Sequence, residues 1–105
     1  MLVVLTTTSG FSEGSVLAEK LVEAKLAACV QIVPQITSVY AWEGKLQKEN
    51  EQLLLIKTTE DKYSELEKFI IEHHSYDVPE IVAIKSEHVF GPYQAWLEEY
   101  LSAQS

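Results

Sequence analysis

The sequence contains no arginine and few basic residues of any kind. Its eight lysines are outnumbered by sixteen aspartates and glutamates, so the formal net charge is −8 at pH 7. A nucleic-acid-binding face needs clustered basic side chains that neutralise phosphates, and anionic membrane surfaces repel an acidic protein. We therefore expect neither nucleic acid nor a membrane among its partners.

Cysteine and long hydrophobic runs are equally scarce. Cys29 is the only cysteine, so no internal disulfide can form. The longest apolar run, residues 53–56, falls far below the ~20 residues needed to cross a bilayer. Residues 1–5 carry neither a basic flank nor a small-residue cleavage site, which argues against a secretory signal. These absences predict a cytoplasmic protein.

Proline and glycine are also rare, with three and four residues, and the chain contains no repeat or low-complexity tract. Hydrophobic residues make up 47% of the 105 residues and charged residues 23%, which is typical of a globular protein rather than a disordered one. We expect a single domain that spans residues 1–105.

The first half of the chain shows alternating strand and helix patterns. Residues 2–8 predict a central strand, and the apolar spacing that follows predicts a helix over 13–26, capped near Ser12. Two long strands, 29–42 and 45–57, then flank a hairpin turn at residues 43–44, whose glycine accepts a positive φ. Pro34 predicts a bulge or an edge position in the first of them.

The second half continues the pattern with a helix over 60–73, started by a capping-box-like segment at residues 58–61, and a strand over 81–84. Pro92 begins a C-terminal amphipathic helix. The order β-α-β-β-α-β predicts an α+β, ferredoxin-like fold with a four-stranded antiparallel sheet, both helices on one face, a long β2–β3 hairpin and an additional C-terminal helix.

Five segments in this order resemble a known family, the CutA or divalent-cation-tolerance proteins. They are residues 26–30 (LAACV), 40–45 (YAWEGK), 55–58 (LIKT), 74–81 (HSYDVPEI) and 93–96 (YQAW). The resemblance implies a ferredoxin-like protomer, a tight homotrimer shaped like the PII signalling proteins, a cytoplasmic setting, and a link to copper and other divalent metals. It implies no established catalytic reaction.

The sequence departs from the family pattern at two places. The family's His-Pro-Tyr step reads His74-Ser75-Tyr76 here, so a stiff proline is missing. Thr6 stands at about the position where some members place a cysteine, which removes a soft metal ligand.

His73 and His74 are the candidate metal ligands, because imidazole is a common ligand of copper, nickel and zinc. Nearby acids, Glu72, Asp77 and Glu80, add attraction for a divalent cation. We expect weak binding of copper(II) or another divalent cation. The alternative interpretation is two histidines placed at a helix C-terminus, where positive charge suits the helix dipole.

Four further residues are candidates for a cleft at a subunit boundary: Cys29, Tyr76, Asp77 and Glu80. A phenol and two carboxylates around Pro79 suit a polar cleft, but they equally suit a solvated turn. Cys29 is the most ambiguous of the four, since a free cysteine is usually a small buried hydrophobe.

Tyr40 and Trp42 lie beside the hairpin tip and are the candidate trimer-interface residues. Strands of about 14 residues extend roughly 45 Å, whereas a domain of this length has a diameter near ~33 Å. The hairpin should therefore project beyond its own globule. We expect a neighbouring copy to cover it in a homotrimer.

No enzyme template fits the sequence, which lacks a phosphate loop, a nucleophile elbow and a dinucleotide fingerprint. We therefore expect no enzymatic activity. The favoured hypothesis is a trimeric cytoplasmic protein that serves divalent-cation (copper) tolerance. The alternative is a PII-like signalling or interaction module that binds a small ligand or a partner at subunit clefts.

Overall fold

The computed structural model describes residues 1–102, which form four strands and three helices. The elements are β1 (Leu2–Thr8), α1 (Phe11–Glu23), β2 (Cys29–Trp42), β3 (Lys45–Thr58), α2 (Glu60–His73), β4 (Val82–Lys85) and α3 (Gly91–Ser102). No helix among these residues has the length and apolar character needed to cross a membrane.

The four strands form one antiparallel sheet in the order β2-β3-β1-β4. This order, with β1 and β3 at the centre, confirms the ferredoxin-like arrangement predicted from the sequence. The last strand is displaced by one residue from the expected 81–84, because Val82 rather than Ile81 begins its pairing with β1.

The core lies between one face of the sheet and the helices α1 and α2. Both central strands supply alternate side chains to it, and each helix supplies residues spaced four apart. The hydrophobic residues of this core with no exposed surface are Val4, Leu21, Ala27, Leu54, Ile56, Leu66 and Ile70. The predicted helical and strand periodicities therefore mark the core correctly.

Helix α1 differs from the predicted 13–26 at both ends. It begins after Gly10, and no side chain caps it, so the expected cap at Ser12 is wrong. It ends early because Lys25 takes a left-handed conformation, with φ of 59°, and the Leu26 N–H then donates to the Leu21 carbonyl. This is a Schellman turn with lysine at the position that glycine usually occupies.

The β2–β3 hairpin closes as expected at residues 43–44. Glu43 and Gly44 both have positive φ, 51° and 76°, the pattern of a two-residue turn that matches the twist of the strands. The register shifts between Val33 and Ile36, which confirms the predicted bulge. The Gln52 Nε2 amide donates to the Pro34 carbonyl over 3.3 Å and holds it.

The opposite face of the sheet has no helix across most of its width. Alternation along the strands places an apolar set of side chains there, namely Val3, Leu5, Val33, Leu53, Leu55, Val82 and Ile84. Three of them are at least a third exposed: Val33 (37%), Val82 (47%) and Ile84 (51%). We call this set the open sheet face.

Helix α3 covers only one end of the molecule. Its buried residues Leu97 and Leu101 pack with Ala28 in a small second cluster. The hairpin extends in the other direction, and the longest dimension of the protomer reaches 46 Å. The predicted elongation of the hairpin is thus confirmed.

Candidate functional site

A cavity of about 590 Å³ lies between the hairpin and the loop that follows α2. Its walls are three aromatic side chains and three carboxylates, which are Tyr40, Trp42, Tyr76, Glu49, Glu51 and Glu80. The remaining lining residues are uncharged: Thr7, Gln47 and Val78. None of the described residues that line the cavity is basic, so the charge of its walls is negative.

The bulge at Pro34 is the reason that the hairpin aromatics reach this cavity. Before the bulge, odd-numbered residues of β2 such as Cys29 and Val33 pair with odd-numbered residues of β3, whose side chains face away from α1 and α2. After the bulge, the even-numbered residues Tyr40 and Trp42 pair with odd-numbered residues of β3, so their side chains lie on that same face. An extra residue reverses the alternation of a strand, and without it both aromatics would point to the opposite face.

Glu51 and Tyr76 form the inner wall. The Tyr76 hydroxyl donates to Glu51 Oε2 over 2.7 Å, and Glu51 is only 8% exposed. Burial raises the pKa of Tyr76, and the bond to Glu51 and the nearby carboxylates raise it further. The phenol therefore remains a protonated donor at neutral pH.

A second phenol and carboxylate pair stands at the outer wall. The Tyr40 hydroxyl donates to Glu49 Oε1 over 2.6 Å. This bond is the main reason that the pKa of Tyr40 is raised. Glu49 and Glu51 are two residues apart on the same face of β3, so the two pairs stand side by side along the cavity.

His74 connects the loop after α2, which we call the cavity loop, to the sheet. Its side chain is wholly buried. The backbone N–H of Tyr76 donates to His74 Nδ1 over 3.0 Å. Since Nδ1 accepts that proton donor, Nε2 carries the ring hydrogen and donates it to the Thr7 carbonyl over 2.6 Å. Both ring nitrogens are engaged, and metal binding would break one of these bonds.

His73 has a different environment, although it precedes His74 directly. It is exposed, its Nδ1 bonds the Phe69 carbonyl over 2.8 Å, and its ring stacks on Phe69 with centroids 4.0 Å apart. Nε2 therefore carries the lone pair and has no partner in residues 1–102. The two histidines therefore do not offer two free ring nitrogens to one metal ion. Their role as metal ligands stays a prediction.

The described residues bring no three His, Cys, Asp or Glu side chains together in a way that could hold a metal ion. The carboxylates of the cavity therefore do not converge on one point where they could share a metal ion. Thr6, at the position discussed as a possible thiol, is fully buried in the core. A ligand at that position would not be accessible from the cavity.

Glu13 fixes the start of the cavity loop. Its Oε2 accepts the Ser75 backbone N–H over 2.8 Å, and its Oε1 accepts the backbone N–H and hydroxyl of Ser9, both over 3.3 Å. Burial raises the pKa of Glu13, but the hydrogen bonds from Ser75 and Ser9 outweigh it, and the net pKa is lowered.

The four predicted cleft residues are only partly brought together. Tyr76 and Glu80 line the cavity, as expected. Asp77 lines a separate, shallower depression beside Ile71 and Pro79. Cys29 is half-buried at the far end of β2, opposite Lys57.

Sequence reasoning missed Glu49 and Glu51, the carboxylates that pair with the two tyrosines. The sequence signal was weak, because all residues from 47 to 52 are polar and strand alternation alone does not single out the row of Gln47, Glu49 and Glu51.

Comparison with known proteins gives a consistent result. The sequence model described as "CutA1 divalent ion tolerance protein" matches residues 2–100. The divalent-cation tolerance protein CutA of Thermus thermophilus is 42% identical over 97 residues, which are 92% of this chain and 94% of that protein. The chloroplastic protein CutA of Arabidopsis thaliana is 43% identical over 97 residues, which are 92% of this chain and 53% of that protein.

Solved structures show the same similarity. The divalent cation tolerance protein of Thermus thermophilus superposes with a TM-score of 0.91 at 42% identity, over 95% of this chain and 98% of that one. The chain spans about half the length of several of the relatives it matches.

Proposed function

Since the chain belongs to the CutA1 divalent ion tolerance protein family, we propose that it acts as a homotrimer in the tolerance of divalent cations, through binding rather than catalysis. The cytoplasmic setting expected from the sequence is part of this proposal. The observation that carries the assembly is the open sheet face.

A sheet that packs helices on one face normally carries polar side chains on the other, if that face meets water. Here the uncovered face is apolar, and Val82 and Ile84 are about half exposed in the isolated protomer. Contiguous exposed apolar patches of this kind mark protein interfaces. A copy of the same chain offers a face of matching character, and rotational symmetry closes such contacts into a ring.

The hairpin supports the same assembly. Trp42 is 63% exposed and Tyr40 40%, and exposed aromatics are typical anchors at the centre of interfaces. Among residues 1–102, β2 pairs with β3 alone and is an edge strand, so its other side is free to pair. Contact with a neighbouring protomer would cover both the edge and the aromatic side chains.

The proposed cation is copper(II) or another divalent metal, with ligands drawn from more than one protomer. His73 is the residue that we propose for it, since its Nε2 has no partner in residues 1–102 and its side chain is exposed. His74 is the less suitable member of the pair, because both its nitrogens are engaged. The strong acidity of the chain adds general attraction for cations.

Light scattering tests the homotrimer, and calorimetry separately tests copper binding by His73. The parent should show a mass three times that of the chain and should bind copper more tightly than zinc. A His73→Ala variant should keep the trimer mass and lose most of the copper affinity. Equal affinity in the parent and the variant would contradict the role of His73 and leave the trimer untouched.

A second candidate function is favoured by one observation, the acidic and aromatic cavity. A concave site with aromatic walls and a few polar groups suits a small organic ligand. This agrees with the PII-like alternative considered from the sequence, in which a trimeric module binds a small ligand at a cleft.

A further inference from the structure

We propose that Gln52 is a positioning residue for assembly, which holds the bulge of β2 at Pro34 and thereby fixes the face of the hairpin on which Tyr40 stands. This role rests on the proposed homotrimer, in which a neighbouring protomer covers Tyr40. It adds to that proposal a buried residue on the opposite face of the sheet, which determines whether the hairpin presents the correct side chains to the neighbour.

The hairpin has one more residue in β2 than its two ends can pair. Val33 pairs with Leu53, whereas Ile36 pairs with Glu51, so three steps along β2 match two steps along β3. The turn at residues 43–44 fixes the pairing at the tip, since both residues take positive φ. The extra residue must therefore form a bulge somewhere between the base of the hairpin and its tip.

The position of the bulge decides which face carries Tyr40. Strand alternation has a period of two, so a residue that lies beyond the bulge faces the opposite way from where it would lie before it. With the bulge at Pro34, Tyr40 pairs with Gln47, and its side chain lies on the side of the open sheet face. A bulge nearer the tip would place Tyr40 opposite Leu46, on the face that carries α1 and α2. The pairing at the two ends permits both positions, so a further contact must select between them.

Gln52 makes this selecting contact. It lies on β3 between the partners of Val33 and Ile36, opposite the bulge, and its Nε2 amide donates to the Pro34 carbonyl over 3.3 Å. On its other side it pairs with Thr8 of β1, whose hydroxyl donates to Gln52 Oε1 over 3.3 Å. An amide whose oxygen accepts a hydrogen bond on one side presents its NH₂ group on the other. Thr8 therefore orients the Gln52 amide toward the bulge.

The packing around Thr8 and Gln52 holds both side chains in place. Gln52 is 9% exposed, and Thr8 has no exposed surface. A Cβ atom at Gly14 of α1 would lie 2.8 Å from the Thr8 hydroxyl oxygen and 3.4 Å from Gln52 Oε1, so the absence of a side chain there leaves room for the pair. Moving the bulge away from Pro34 would leave the buried Gln52 amide without its acceptor, which is unfavourable.

Gln52→Glu tests this role, because a carboxylate still accepts from Thr8 but cannot donate to Pro34. Cross-strand NMR contacts between backbone protons report the register: Tyr40 should lie opposite Gln47 in the parent, and the variant should add contacts that place it opposite Leu46. Light scattering at decreasing concentrations should show that the variant dissociates at a concentration about tenfold higher or more. Gln52→Met, which buries no charge, should show the same two effects if the glutamate variant does not fold.

The matched control is Thr58→Val, which removes a buried hydrogen bond at the other end of β3. It should destabilise the protomer but keep the register and the dissociation of the parent. A parent-like register or parent-like dissociation in the Gln52 variants would overturn the proposal, and so would equal weakening of assembly by Thr58→Val, since Gln52 would then act through general stability alone. A monomeric parent would instead contradict the homotrimer, and the NMR register would still show whether Gln52 holds the bulge.

Discussion

The imidazole of His74 donates its Nε2 hydrogen to the carbonyl of Thr7 over 2.6 Å, and so ties the loop after α2 to the end of β1. The two residues are 67 positions apart in the chain. Because Tyr76 lies two residues further on and its backbone N–H donates to His74 Nδ1, this histidine sets the position of the phenol that lines the cavity. His74 therefore holds the cavity wall in position and does not itself line the cavity.

Replacing His74 with alanine should therefore destabilise the protein by about 2–4 kcal/mol, since the change opens a buried space and leaves the Thr7 carbonyl without its partner. His73→Ala, at the exposed neighbouring position, should cost less than about 1 kcal/mol. Thermal unfolding at one fixed protein concentration compares the two. Similar losses for both variants would show that the bond from His74 to Thr7 contributes little.

The lowered pKa of Glu13 predicts an acid-sensitive contribution to stability. A carboxyl group with a folded-state pKa below its ordinary value of 4.5 stabilises the fold above that pH, and the contribution disappears as the pH falls through the folded-state pKa. Glu13→Gln should lower the melting temperature at pH 7 and make little difference near pH 3.

The control for this pH dependence is Glu19→Gln, an exposed position on the same helix. Its difference from the parent should be small at every pH. If Glu13→Gln is as stable as the parent at pH 7, the bonds to Ser9 and Ser75 are not stabilising.

Within residues 1–102, the buried hydroxyl of Thr6 has no hydrogen-bond partner, which makes Thr6 a site for stabilisation. Thr6→Val keeps the shape and removes the unsatisfied group, so it should stabilise the protein by about 1 kcal/mol. Thr58 is equally buried, but its hydroxyl donates to the Leu26 carbonyl over 2.7 Å. Thr58→Val should destabilise the protein by about 1–2 kcal/mol. Denaturation curves in which Thr6→Val and Thr58→Val change the free energy of unfolding in the same direction would contradict the view that only the Thr58 hydroxyl is hydrogen-bonded.

Trp42→Ala tests the hairpin as an interface element. The side chain is 63% exposed in the protomer, so its removal should leave the protomer fold intact and weaken assembly by about 2–4 kcal/mol. Sedimentation at decreasing concentrations should show earlier dissociation than in the parent. Phe11→Ala, at a 58% exposed position on α1, is the control, and an equal effect of both changes would remove the special role of Trp42.

The sequence predicted the order and type of all seven elements because the hydrophobic period changes clearly at each boundary. It misplaced the end of α1, since the apolar stripe continues to Leu26, which the Schellman turn rather than the helix buries. No glycine marks that turn. Lys25 takes the left-handed conformation instead, and the backbone preferences of lysine do not predict this conformation.

The cavity was only partly predictable for a related reason. Tyr76 and Glu80 were identified from the loop around Pro79, but their partners depend on contacts distant in sequence. Glu51 meets Tyr76 across 25 residues, and the side of the hairpin that carries Tyr40 depends on the bulge at Pro34. The adjacency of His73 and His74 suggested a shared role, whereas the end of α2 directs one to solvent and the other into the protein.

The central claim is that a second and third copy of the chain cover the open sheet face and the hairpin. Multi-angle light scattering of the purified chain in dilute neutral buffer tests it most directly. We predict a mass three times the 11.9 kDa of the chain, unchanged over a tenfold dilution. A mass near 11.9 kDa would contradict the account, because the apolar face would then be stable in water without a partner.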